Sequence, residues 1–464
     1  MRNRQRLARP STSPATRPLP PGPKRQFLLG NLGVMSQDWL RYYRECTEEH
    51  GDVVFLRFLH VPICAIVNPR DIEYVLVTNA ANFTKSADYR ALARLLGKGL
   101  LTSEGALWQH QRSLIQPAFR REKILSYAPV MTEAVGRMLD GWKDHDQRNI
   151  HADLMRATLD VVARCLFGAE VSGVADRVGR AMAVVSERFP TDASWALLFP
   201  IDIPDFVAPS RRRTIRELNE IIEGIIRDRR DSGKSRGDLL DALLEMRDAN
   251  GQQMSAAQLR DEMMTLFLAG HETTAIALSW ACFLLAQHPE VEAQLVQELK
   301  AVLNGRMPSS DDLGRLIYTE MVVKEAMRLY PPVWAIGRRS IAQCEIGGYR
   351  VPAATNVFIF QWLTHRDRRF FTDPERFDPE RWRADPVRAG RVPRFAYLPF
   401  GAGPRTCVGA SFAMIEATLL LAAIVQRFRF ELLPTPAVVL QAAVTLRPKD
   451  GIHVVVHRRH GLSG

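Results

Sequence analysis

The stretch Phe400-Gly401-Ala402-Gly403-Pro404-Arg405-Thr406-Cys407-Val408-Gly409 decides the fold. Its glycines give a loop whose backbone can approach a flat group closely. An aromatic residue opens it, an arginine stands two residues before the cysteine, and an apolar helix is expected from residue 410. A cysteine at a helix start, with unpaired backbone N–H groups aimed at its sulfur, is expected to have a lowered pKa and to serve as a shielded thiolate. The other five cysteines, Cys46, Cys64, Cys165, Cys282 and Cys344, have neither zinc nor redox spacing and read as small core residues.

Outward from this loop the chain reads as mainly α with a minor β region. Residues 52–59 and 61–67 alternate as two strands, and from about residue 108 the pattern is helical. Along 209–230, Ile215, Leu218, Ile221, Ile222, Ile225 and Ile226 share one face. The proline-rich, apolar segment 189–209 reads as a packed inter-helix loop, with membrane contact as the alternative. The clearest element is 255–287, opened by a Ser255/Gln258 capping box; about thirty residues at ~1.5 Å each would cross the whole molecule. It is apolar on all sides, which suggests burial, and His271 and Glu272 at its centre argue against a membrane span. Residues 317–330 form a further helix stopped by Pro331-Pro332, and 340–360 alternates in strand fashion.

The chain has 464 residues and a net charge of +11, but seven positive charges and no acid lie in residues 1–25. The charge is therefore largely a tail effect, and no basic face interleaved with aromatics marks a nucleic-acid binder. The tail is Arg-rich like a mitochondrial transit peptide, yet its prolines oppose the amphipathic helix such a peptide needs. The expectation is a flexible tail over 1–22, a single domain over 23–464, no transmembrane segment and a cytoplasmic location.

Three further patterns carry chemistry. Ala269-Gly270-His271-Glu272-Thr273-Thr274 lies midway along the long helix. Gly and Thr are poor helix formers there, Thr can bond the carbonyl a turn earlier, and a buried acid is costly unless used or paired. Glu325 and Arg328 are three apart on a helix face, with Arg381 in Phe377-Asp378-Pro379-Glu380-Arg381-Trp382. Trp108 and Arg112, four apart, share another face.

The cysteine loop and these patterns, in this order, resemble the cytochrome P450 family over nearly the whole chain. The resemblance implies heme b (iron protoporphyrin IX) with Cys407 as the iron ligand in the loop of Phe400, Gly401 and Gly409. It implies an oxygen pocket at Ala269 and Gly270, with Thr273 donating a hydrogen bond there and Glu272 relaying protons. Trp108, Arg112, Arg405 and Arg338 would bind the haem propionates, Arg339 being an alternative to Arg338 and His110 a further possibility. Glu325, Arg328 and Arg381 would brace the cysteine loop.

The implied reaction is R–H + O2 + two electrons + two protons → R–OH + water. Its substrate is expected to be hydrophobic, such as a lipid or terpenoid, bound among Phe267, Ala269, Thr273, Val333, Trp334, Ile336, the 84–100 loop and Val444-Thr445. Only about 57 residues follow Cys407, so the electrons are expected from a separate ferredoxin and its reductase, and the enzyme is expected to be a monomer. A peroxide-driven peroxygenase and a non-enzymatic haem sensor are the rival readings; the acid–threonine pair argues against both.

Overall fold

The computed structural model describes residues 17–24, 26, 30, 31, 38–170, 173–199, 209–245, 247 and 253–459. The long apolar run folds as one helix, Ala256–Gln287, with 22 of its side chains buried. Ser255 caps it by accepting from the Gln258 N–H at 3.1 Å. Only half of the expected capping box forms, because the Gln258 side chain donates instead to Lys98 O and Glu262.

This central helix packs against helix Ile150–Phe167, and the contact is close because residue 270 is glycine. A Cβ there would sit 3.0 Å from Val162 Cγ2. The Thr158 hydroxyl bonds the His271 carbonyl across the interface at 3.0 Å. Helix Ile317–Leu329 and helix Ala410–Arg427 complete the core around it. Both the central helix and Ala410–Arg427 are long and apolar enough to cross a bilayer, contrary to expectation. The fold accounts for this otherwise, since 78% and 72% of their most apolar windows are buried inside it.

Among the described residues the main sheet has five strands. Strands Val53–Phe58 and Val61–Ile66 pair antiparallel as expected. The sheet continues in the order Asn356–Ile359, Ile336–Ser340 and Phe83–Lys85. Upstream of residue 23, the Pro21 carbonyl accepts from Phe55 N at 2.7 Å and the Pro18 carbonyl from Arg350 N at 2.9 Å. Residues 18–21 therefore lie along the edge of the fold.

Two expectations need correction. Residues 189–198 are not a loop: helix Ala175–Leu198 runs through them with Pro190 inside it. Proline costs one backbone bond there, and the helix is held by its buried face, including Ala193, Ala196, Leu197 and Leu198. Residues 200–208 lie outside the described residues. Similarly, the 84–100 segment contains helix Tyr89–Leu96 rather than loop alone.

Candidate active site

The cysteine loop is shaped by two glycines in the left-handed region, Gly401 (φ +69°) and Gly403 (φ +70°). At Gly403 a Cβ would fall 1.9 Å from the Leu76 carbonyl, so the glycine lets the loop seat on the protein's own backbone. The Cys407 N–H donates to Phe400 O at 2.9 Å, closing the loop. Gly409 then leads into helix Ala410–Arg427. The five other cysteines are all buried; Cys407 alone has free surface, and that surface faces an internal cavity.

The expected low pKa of the free thiol is not what the site gives. Burial pushes it up, and the Gly409 N–H and the Arg112 charge offset only part of that. A metal bound at the sulfur would hold it as the thiolate.

The cavity has a volume of about 370 Å³. Cys407, Phe400, Gly401 and Gly409 line it together with Ala269, Gly270, Glu272 and Thr273 of the central helix. Four cations, Lys85, Arg112, Arg338 and Arg405, also line it, as does Trp108. Arg338 is 6% exposed while Arg339 points outward, so the chain turns the first of the two candidates inward. His110 is exposed and is not among the lining residues. Arg112 donates to Thr406 O at 2.7 Å. Arg405 lies over the Trp108 ring at 5.4 Å and pairs with Glu104 at 2.7 Å, and its Nε is buried without a partner.

Lys85 was not singled out from the sequence. Burial, with Arg405 and Arg338 nearby, lowers its pKa to about 8 although Glu104 opposes the shift. Its only sequence signal was a charge ending a short strand.

On the central helix, Thr273 Oγ1 donates to Ala269 O at 2.9 Å and Thr274 Oγ1 to Gly270 O at 3.3 Å. Glu272 is 4% exposed and accepts from Thr445 Oγ1 at 3.1 Å. Burial raises its pKa, with Arg447 and Thr445 pulling the other way. A second buried acid, Glu416, was also missed. Burial raises its pKa to about 8, with the Thr274 hydroxyl pulling the other way. An acid in the middle of an apolar helix was the signal for it, as it had been for Glu272.

Two predicted pocket residues lie elsewhere. Phe267 is fully buried against Phe167 and His271. Trp334 lines a second, adjoining compartment.

Glu325, Arg328 and Arg381 come together as one buried cluster. Glu325 receives Arg328 Nε and Nη2 at 2.9 and 2.8 Å, Arg381 Nε at 3.0 Å, Trp382 Nε1 at 2.9 Å and Asp378 N at 3.1 Å. Arg328 also donates to the carbonyls of His365, Pro374 and Arg376.

These residues fit haem. One sulfur and four cations face a common cavity that is otherwise mostly apolar. A macrocycle with an iron at its centre and two carboxylates at one edge matches that donor set.

The family model for cytochrome P450 matches residues 20–455. The chain belongs to the cytochrome P450 family, and as such it is a haem-binding monooxygenase that uses O2 and electrons from a redox partner. It is 38% identical over 417 residues to cyclooctatin synthase of Streptomyces melanosporofaciens, covering 88% of this chain and 89% of that one. It is 34% identical to cyclooctat-9-en-7-ol 5-monooxygenase of the same organism, covering 91% and 92%. With cytochrome P450 4V2 of Homo sapiens it shares 29% identity over 96% of this chain and 90% of that one.

Proposed function

We propose that this monooxygenase hydroxylates or epoxidises a terpenoid-like hydrophobic substrate with electrons from a ferredoxin and its reductase. The observation that carries the reading is the apolar cavity bounded by Cys407 and by the Glu272–Thr273 pair of the central helix. The naming of a bacterial relative after a cyclooctatene alcohol supports the terpenoid class.

In this reading Cys407 ligates the iron, and Phe400, Gly401 and Gly409 hold its loop. Arg112, Arg338, Arg405 and Trp108 bind the propionates, with Lys85 as a further cation. The bound haem supplies activation of dioxygen at a thiolate-held iron. Ala269 and Gly270, which carry a methyl group and no side chain respectively, would leave room for it in the cavity. The Thr273 hydroxyl turns from Ala269 O to donate into the oxygen pocket. Glu272, whose pKa burial raises, holds a proton that it can pass on. Glu325, Arg328 and Arg381 hold the loop in place and touch no substrate.

A ferredoxin is favoured because the cysteine loop meets a basic edge. Arg112 is bonded to Thr406, and the exposed Arg120 and Arg121 follow Phe119, which lies against Gly409 and Phe412. An acidic electron carrier would be steered there. Burial of both long apolar helices fits a chain that does not span a bilayer; the further proposal of a cytoplasmic monomer is checked by cell fractionation and sedimentation.

The test is optical titration of the ferric protein with terpenoids, fatty acids, steroids and aromatics. A low-spin to high-spin shift with terpenoids, followed by product formation with a ferredoxin system, is the expected result. Turnover with peroxide but not with ferredoxin would favour the peroxygenase reading instead.

A further inference from the structure

A second compartment of about 180 Å³ adjoins the cysteine cavity, and Tyr89, Leu92, Leu101, Val333 and Val444 border both. Its wall is a cluster of rings from three parts of the chain: Trp39, Tyr43, Phe58, Trp334, Phe358 and Phe360. Tyr43 and Phe360 lie 4.0 Å apart, Trp334 and Phe360 5.9 Å, and Phe358 and Phe360 6.2 Å. The Trp334 indole N–H is already used, donating to Ala443 O at 3.0 Å. Into this apolar box comes one acid, Asp88, at the start of helix Tyr89–Leu96.

Asp88 accepts from the Ser86 hydroxyl, and no side chain from the facing walls is hydrogen-bonded to it among the described residues. The Tyr43 phenol lies close enough to feel its charge. A carboxylate in an aromatic compartment costs free energy unless its acceptor capacity is filled, and the Ser86 hydroxyl and the Asp88 backbone N–H leave part of it unused. The cysteine cavity makes its own polar demands through cations and the Glu272–Thr273 pair; of these the Arg338 charge acts on Asp88, without a hydrogen bond to it among the described residues.

The geometry points to Asp88 as a specificity residue: it accepts a hydrogen bond from a hydroxyl group already present on the substrate. The substrate is then a terpenoid alcohol that spans both compartments. Its oxygenated end lies in the aromatic box, and its unreacted hydrocarbon end reaches the cavity of Cys407. This deepens the terpenoid reading above and rests on it. A hydroxyl fits better than an ammonium, because the Arg338 charge acts on Asp88 and would repel a cation placed beside it.

Two consequences follow. The new oxygen is added at a carbon remote from the existing hydroxyl. The preceding reaction must install that hydroxyl, either as a cyclisation quenched by water or as an earlier oxygenation.

The experiment is spin-state titration of the haem-loaded full chain with geranylgeraniol, its methyl ether and geranylgeranylamine. The alcohol is expected to bind on the order of tenfold more tightly than the ether. Asp88→Leu should abolish that difference while leaving the ether unchanged, and Asp88→Asn, which keeps an acceptor, should retain part of it. The reduced carbonyl spectrum checks that each variant is intact. Equal binding of alcohol and ether to the unaltered protein, or equal weakening of both in Asp88→Leu, would overturn the anchor while leaving the terpenoid reading in place. Tightest binding by the amine would overturn the hydroxyl assignment. No shift with any of the three would remove both the anchor and the terpenoid reading.

Discussion

Two buried polar regions of this molecule look alike in composition and differ in how far they are satisfied. In the Glu325–Arg328–Arg381 cluster, every acceptor and donor direction of the acid and of Arg328 is used, by side chains and by three carbonyls of the 365–376 segment. Around the cavity the groups are short of partners. Arg405 Nε has none, and Glu272 has a single hydroxyl donor. A saturated network fixes a structure; an unsaturated one is kept for a ligand, a cofactor or a proton. Both regions carry motifs of charged residues at helical spacing, so only the count of partners separates bracing from chemistry.

The sharpest way to break this contrast is at Cys407. Cys407→Ala should eliminate the thiolate-type spectrum of the reduced carbonyl complex and all turnover; persistence of that spectrum would show that another group holds the iron. Next comes the saturated cluster. Arg328→Ala leaves Glu325 as an uncompensated buried charge and should cost ~3–5 kcal/mol, read by urea unfolding and by the yield of haem-loaded protein. A loss below about 1 kcal/mol would mean that the cluster is not the brace its geometry describes.

Thr273→Ala should do the reverse, leaving stability nearly unchanged. Product formed per electron consumed should fall by about tenfold to a hundredfold, with peroxide released. Tight coupling in that variant would remove the proton role of Thr273.

The smallest effect concerns Lys85. Its pKa in the folded haem-free protein, about 8, is below the ordinary 10.5, so between these values the unfolded chain binds the proton that the folded chain has lost. Stability of the haem-free protein should therefore rise as pH goes from about 8 to 10.5. Haem carboxylates near Lys85 would restore its charge and flatten that slope, and Lys85→Met should flatten it without haem. A slope unaffected by either change would place Lys85 outside the carboxylate site.

The motif-bearing part of the site was legible because its chemistry demands particular residues at short spacing. The loop at 400–409, the Glu272–Thr273 pair and the Glu325/Arg328 spacing all needed only neighbours in sequence. Lys85 was not legible, because a charge at a strand end has no periodic signature until strand Phe83–Lys85 pairs with Ile336–Ser340 and brings it beside Arg338. Glu416 could have been flagged by the same argument as Glu272, since both are acids set in apolar helices. The helix through Pro190 was missed because local propensity was weighed against a buried face that no window of sequence displays.

The sequence by itself determined the mainly α class, the central helix, the family and the loop that presents Cys407, since these rest on periodicity and on residues adjacent in the chain. Tertiary structure alone decided which of Arg338 and Arg339 faces inward, that Phe267 is core rather than pocket, and that Asp88 stands among rings drawn from three separate segments. Those outcomes depend on which surfaces meet when distant segments pack, and burial, unlike spacing, is a property of the folded whole.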